Sequence, residues 1–153
     1  MINLLPLTFI FIYSWFTIFL FHELCHIIEG FRHGADDAEI YIDKYWIFPT
    51  MRCWSNHNGH DDAVAFAGGI YSGIISLIIG IYAALTPTMW DFPFEFSFIV
   101  IGSINIVYGI YEGTFLNKLD YDEYMRYHYM IYIVMFIIMV MVYLPLIGEY
   151  IKW

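Results

Sequence analysis

The residues with the most chemical content are His22-Glu23-Leu24-Cys25-His26, which read H-E-x-x-H. On a helix the two histidines stand one turn apart on a common face. Both imidazoles then reach a single zinc ion, and Glu23 projects beside it as a general base for a water held there. The chemistry of such a site is metal-assisted hydrolysis. The spacing needs a helix, and the uncharged run 1–22 that leads into the motif supplies one.

A tetrahedral catalytic zinc takes three protein ligands and keeps one position open, so a third ligand must come from elsewhere. Glu29 lies seven residues past His22, about two turns along, and His33 follows Gly30 and is expected to leave the helix. The extended pattern of soluble metalloproteases, with Gly and His three and six residues after the second His, is absent; Glu29 and Arg32 stand there. Glu112 is the favoured ligand. It interrupts the uncharged run 96–111, where a carboxylate without a partner is costly. A separate cluster, Cys53, His57 and His60 with Asp61 or Asp62, has the residue types for a second metal, although a solvated polar turn accounts for it better.

The elements that must carry these residues follow from composition. Hydrophobic residues make up 61% of the 153 and charged residues 14%, against roughly 45–50% and about 25% in soluble domains. The expected fold is therefore an all-α integral membrane protein, a single membrane-embedded domain over 1–153. Runs 1–22, 63–90, 96–111 and 127–148 carry no Asp, Glu, Lys or Arg. Each approaches the ~20 residues a spanning helix needs, which places four transmembrane helices at about 4–29, 64–86, 96–116 and 128–148. A cleaved signal peptide is a poor account of the first, which lacks a basic start and runs straight into the histidine motif. Between the first two helices lies an excursion loop, 30–63. Its aromatic and β-branched stretch 40–49 is expected to contain strand.

Five of the six basic residues lie in two loops: Arg32, Lys44 and Arg52 in 30–63, Lys118 and Arg126 in 117–127. Lys152 is alone on the other side. The distribution predicts a multi-pass protein with both loops cytoplasmic and both termini outside. A net charge of −9 leaves no basic stripe for nucleic acid. Cys25 and Cys53 make no disulfide framework. The fourteen tyrosines and five tryptophans suit two interfacial belts, with Trp15 deeper in the first helix. The last helix, with Met130, Met135, Met139 and Met141, is expected to pack against the others or form a lid, and His128 to sit at the interface.

On these residues the chain resembles the site-2 protease family of intramembrane zinc metalloproteases. In that family H-E-x-x-H lies in a membrane helix and a β-containing segment follows. A later helix opens with Ala-Gly-Pro…Asn, and another carries Asn…Asp-Gly, whose Asp is the third zinc ligand. The first feature is intact at His22–His26. Ala67-Gly68-Gly69-Ile70-Tyr71-Ser72 resembles the second, with Gly69 for Pro and Ser72 for Asn. Asn105…Glu112-Gly113 resembles the third, with Glu for Asp and an interval one residue shorter. The likeness covers roughly 1–117 and describes a divergent, minimal member.

The resemblance implies a Zn2+ endopeptidase that hydrolyses peptide bonds in or near transmembrane segments. His22, His26 and Glu112 would be its ligands and Glu23 its general base, with Asn105 or Ser72 donating a hydrogen bond to the substrate backbone or the developing oxyanion. The implied partners are the lipid bilayer and a membrane-protein or signal-peptide-like substrate, with no nucleic acid. Two other functions fit the same residues less well. One is a non-proteolytic zinc membrane protein, a metal carrier or regulator that needs no base at Glu23. The other is a structural protein whose polar side chains are only packed.

Overall fold

The computed structural model describes residues 12–13, 16–45, 48–86 and 93–151. The start of the first expected helix, Trp15, Trp46 and Lys152 lie outside the described residues, as do the side chains of Met139 and of 142–151. The described chain is mostly helical. A π-helical segment, Phe16–Phe21, runs without a break into α1, His22–Arg32. A β-hairpin follows, β1 (Ala38–Tyr45) antiparallel to β2 (Phe48–Ser55), in a register that sets Tyr41 against Arg52 and Ile40 against Cys53. Then come α2 (Asp61–Leu85), α3 (Pro93–Thr114), a 3-10 turn (Leu116–Lys118) and α4 (Tyr121–Ile151). The hairpin falls in the excursion loop where aromatic and β-branched residues concentrate.

Among the described residues two stretches are long and apolar enough to cross a membrane, Asp61–Leu85 and Ser97–Lys118. α4 starts seven residues ahead of His128 because Asp120 caps it: its Oδ1 accepts the Glu123 backbone N–H at 2.9 Å. The π-helical segment was not readable from the sequence. Wide turns of this kind are rare and often stand beside functional sites, and this one ends at His22.

The packing is inverted relative to a soluble bundle. Exposed positions on the helices include Ile78, Leu85, Val107, Ile133 and Met141. Ser72, Ser76, Ser97, Asn105, Glu112 and His128 are buried. In water that arrangement would leave apolar surface wet and bury polar groups at a cost. In hydrocarbon it is the stable one. α2 and α3 approach backbone to backbone. A Cβ on Gly73 would stand 2.6 Å from the Gly102 carbonyl oxygen, and one on Gly109 would stand 2.7 Å from the Ile70 nitrogen. Small residues at such a seam are what hold helices together where no hydrophobic drive exists between them. α4 closes the bundle through Met135, which packs in one cluster with Ile101 and Tyr108 of α3.

Candidate metal centre

α1 places His22 and His26 one turn apart, 1% and 6% exposed, and α3 brings Glu112 to them from a second helix. The two imidazole Nε2 atoms are 3.0 Å apart. Glu112 Oε2 lies 3.1 Å from His22 Nε2 and 3.4 Å from His26 Nε2. A tetrahedral ion with ligand bonds of about 2.0–2.1 Å holds neighbouring ligand atoms roughly 3.3 Å apart. The three edges of this triangle therefore match one face of such a site. Among the described residues this is the only group of three or more His, Cys, Asp or Glu able to hold a metal ion.

The hydrogen bonds around the triangle also suit a cation. His26 Nδ1 lies 2.6 Å from the Val64 carbonyl oxygen, which can only accept. The ring proton is thus on Nδ1, and in the neutral ring Nε2 turns a lone pair to the centre. This is the arrangement that orients metal-bound histidines. Glu112 uses its other oxygen, Oε1, to accept the Tyr124 hydroxyl at 2.8 Å. Burial, and then Glu112 itself, push the Tyr124 phenol well above its ordinary pKa. It is a permanent donor. His22 Nδ1 is buried without a partner among the described residues.

Glu23, 5% exposed, points into a cleft of about 250 Å³ that it shares with His26, Glu112, Arg52, Cys53 and Tyr124. The Cys53 thiol hydrogen-bonds to Glu23, and burial followed by the charges of Glu23 and Glu112 pushes its pKa up. Ser55, His57, Asp61 and Asn117 form the polar side of the cleft. One opening thus serves both the ligand cluster and the carboxylate next to it in sequence.

The remaining sequence candidates take separate places. Asn105, 1% exposed, lies on the Glu112 side of α3 two turns earlier, and neither atom of its amide has a partner among the described residues. Ser72 Oγ donates to the Gly68 carbonyl of its own helix at 2.6 Å. Glu29, the other carboxylate considered as a ligand, is turned elsewhere. Its oxygens lie 2.9 Å from Arg32 Nη1, 3.1 Å from His33 Nε2 and 3.1 Å from the Tyr71 hydroxyl, which strap α1 to α2. Cys53, His57 and His60 do not converge either: Cys53 turns to Glu23, His57 Nε2 lies 3.0 Å from Asp61 Oδ1, and the His60 ring stacks on His33.

Three contacts at the site were not expected from the sequence. Gly68 is where α2 passes against the imidazoles: a Cβ there would overlap His26 Nε2 and stand 2.7 Å from His22 Nε2. Tyr124 is the second. His128, expected at the interface, is instead 1% exposed, with Nδ1 hydrogen-bonded to the Tyr108 hydroxyl, and the Tyr108 ring lies 5.2 Å from that of His22. A signal for the last two did exist. Tyr124, His128 and Tyr132 recur every four residues, a stripe of hydrogen-bonding groups on one face of an otherwise apolar helix.

No protein-family model matches the chain, and comparison with curated proteins and with solved structures likewise gives no match. The functional argument therefore stands on the geometry.

Proposed function

We propose that this protein is a zinc-dependent endopeptidase that cleaves peptide bonds of membrane-protein substrates within or close to the bilayer, as its likeness to site-2 proteases implies. One observation carries the reading: Glu23, a buried carboxylate that binds no metal in the triangle, opens into the same cleft as the ligands His26 and Glu112. A carrier or a purely structural site has no use for a free carboxylate there, whereas a hydrolase needs a base beside its metal.

His22, His26 and Glu112 are the residues that would hold the ion. Zinc, when bound, supplies Lewis acidity that polarises a peptide carbonyl and makes water nucleophilic at neutral pH. Glu23 takes the proton from the attacking water and returns one to the leaving amine. The Cys53 thiol lies beside Glu23 in the cleft. Of the two candidate hydrogen-bond donors to substrate, Asn105 has an unengaged amide. The hydroxyl of Ser72 is spent on the carbonyl of Gly68, where it steadies the turn that passes the imidazoles.

The same reading places four helices in the membrane, with loops 30–63 and 117–127 towards the cytosol. Both loops contribute to the cleft, through Ser55, His57 and Asn117, so water and an unwound substrate segment would enter from that side. The test uses the full chain in proteoliposomes with a fluorogenic transmembrane peptide. Glu23→Gln should keep one zinc per chain and lose cleavage by at least about 100-fold, the scale of general-base catalysis. Unchanged cleavage by Glu23→Gln, or a zinc-loaded wild type that cleaves no peptide, would reject the protease.

A further inference from the structure

We infer that Tyr124 is the positioning residue of the metal centre, fixing Glu112 as a one-oxygen ligand and tying that ligand to the β-hairpin through Arg52. The inference rests on the reading of His22, His26 and Glu112 as metal ligands, and it needs no assumption about the reaction.

A glutamate reaches its site over three rotatable bonds and can offer one oxygen or two. Here the two oxygens of Glu112 have different partners. Oε2 faces the imidazoles at 3.1 and 3.4 Å, and Oε1 accepts the Tyr124 hydroxyl at 2.8 Å. With Oε1 drawn to Tyr124, Oε2 is the oxygen turned to the imidazoles and so the one placed for an ion. Hydrogen bonds of this kind set the orientation and basicity of metal-bound carboxylates.

Tyr124 is itself held. The Arg52 guanidinium lies 4.9 Å from the centre of its ring, a cation–π distance. The His128 ring is stacked against it at 5.3 Å. Arg52 belongs to β2, lies 5.3 Å from the Tyr121 ring and sits 3.5 Å from Asp43 Oδ2 of β1. A continuous line of contacts thus runs from the hairpin through Arg52 and Tyr124 to Glu112. The hairpin also lines the cleft, with Arg52, Cys53, Trp54 and Ser55. A segment bound along β2 would therefore press on the residue that orients the third ligand.

The experiment measures zinc affinity of the full chain in detergent micelles by competition with a chromophoric chelator, together with the visible spectrum of the cobalt(II) form. Tyr124→Phe removes one oxygen and keeps the ring. It should weaken zinc binding by about 10–100-fold and reduce the cobalt absorption as the freed carboxylate takes up a second bond. Tyr127→Phe, on the exposed side of α4, should match wild type. Arg52→Gln, which leaves Tyr124 and Glu112 in place, should weaken binding several-fold. Wild-type affinity and an unchanged cobalt spectrum in Tyr124→Phe would overturn the role of Tyr124 while leaving the metal centre intact. Wild-type affinity in Arg52→Gln would remove the hairpin from the line. A wild-type chain that binds no zinc would overturn the metal reading and this inference together.

Discussion

Gly68→Ala changes one hydrogen to a methyl group and should empty the metal centre. The added Cβ would stand 2.5 Å from His26 Cε1 and 2.7 Å from His22 Nε2, and closer still to His26 Nε2. Non-bonded carbon contacts lie at about 3.5–4.0 Å, so a ring or the helix must yield by about 1 Å. The helix has nowhere to go: at the adjacent Gly69, α2 already meets the backbone of α3 at Gly109. The imidazoles must move instead, and metal bonds tolerate only about 0.2 Å. The expected result is a loss of zinc affinity of at least about 100-fold. Alanine is also the better helix former by about 1 kcal/mol, so the helix itself is not weakened. Zinc content by elemental analysis, with thermal melting of the detergent-solubilised chain, reads both effects. A Gly68→Ala protein that retains one zinc per chain at wild-type affinity would refute the placement of α2 against the histidines.

Other consequences are as direct. Glu29→Gln should retain zinc yet lower stability by about 1–3 kcal/mol, the scale of hydrogen bonds to a charged group, discounted because Arg32 is largely exposed; loss of zinc in its metal analysis would make Glu29 a ligand after all. Cys53 should alkylate slowly at pH 8, because a raised thiol pKa leaves little thiolate at that pH. Burial is the main cause, and Glu23→Gln removes one of the two charges that add to it, so it should speed the reaction, as followed by mass spectrometry; an equal rate would separate the thiol from Glu23. Alkaline carbonate should leave the protein in the membrane fraction, as the exposed apolar faces of α2, α3 and α4 require; release into the supernatant would contradict that.

The central triangle was legible because membrane chemistry makes charge conspicuous. Two histidines at helical spacing, and one glutamate breaking a long apolar run, are costly residues in positions where only a partner relieves the cost. A strand after the first helix was legible from the aromatic and β-branched stretch 40–49; its partner, which runs through Pro49 to Ser55, was not. What surrounds the triangle was not. Glu29 shares a helical face with His22 in sequence, but Arg32, His33 and Tyr71 draw its oxygens away. Gly68 is one glycine among eleven, and its role depends on which side chains of another helix pass beside it. Tyr124 is one tyrosine among fourteen, marked in sequence only by the spacing it shares with His128 and Tyr132, and the carboxylate it meets lies across a turn in the chain. The π-helical segment before His22 has no pattern of its own.

Zinc X-ray absorption of the purified full-length chain tests the central claim most directly. The account predicts a shell of nitrogen and oxygen at about 2.0–2.1 Å with the outer-shell pattern of two imidazoles, altered in Glu112→Ala, where one oxygen ligand is lost. A sulfur shell near 2.3 Å, or a spectrum that Glu112→Ala leaves untouched, would contradict it.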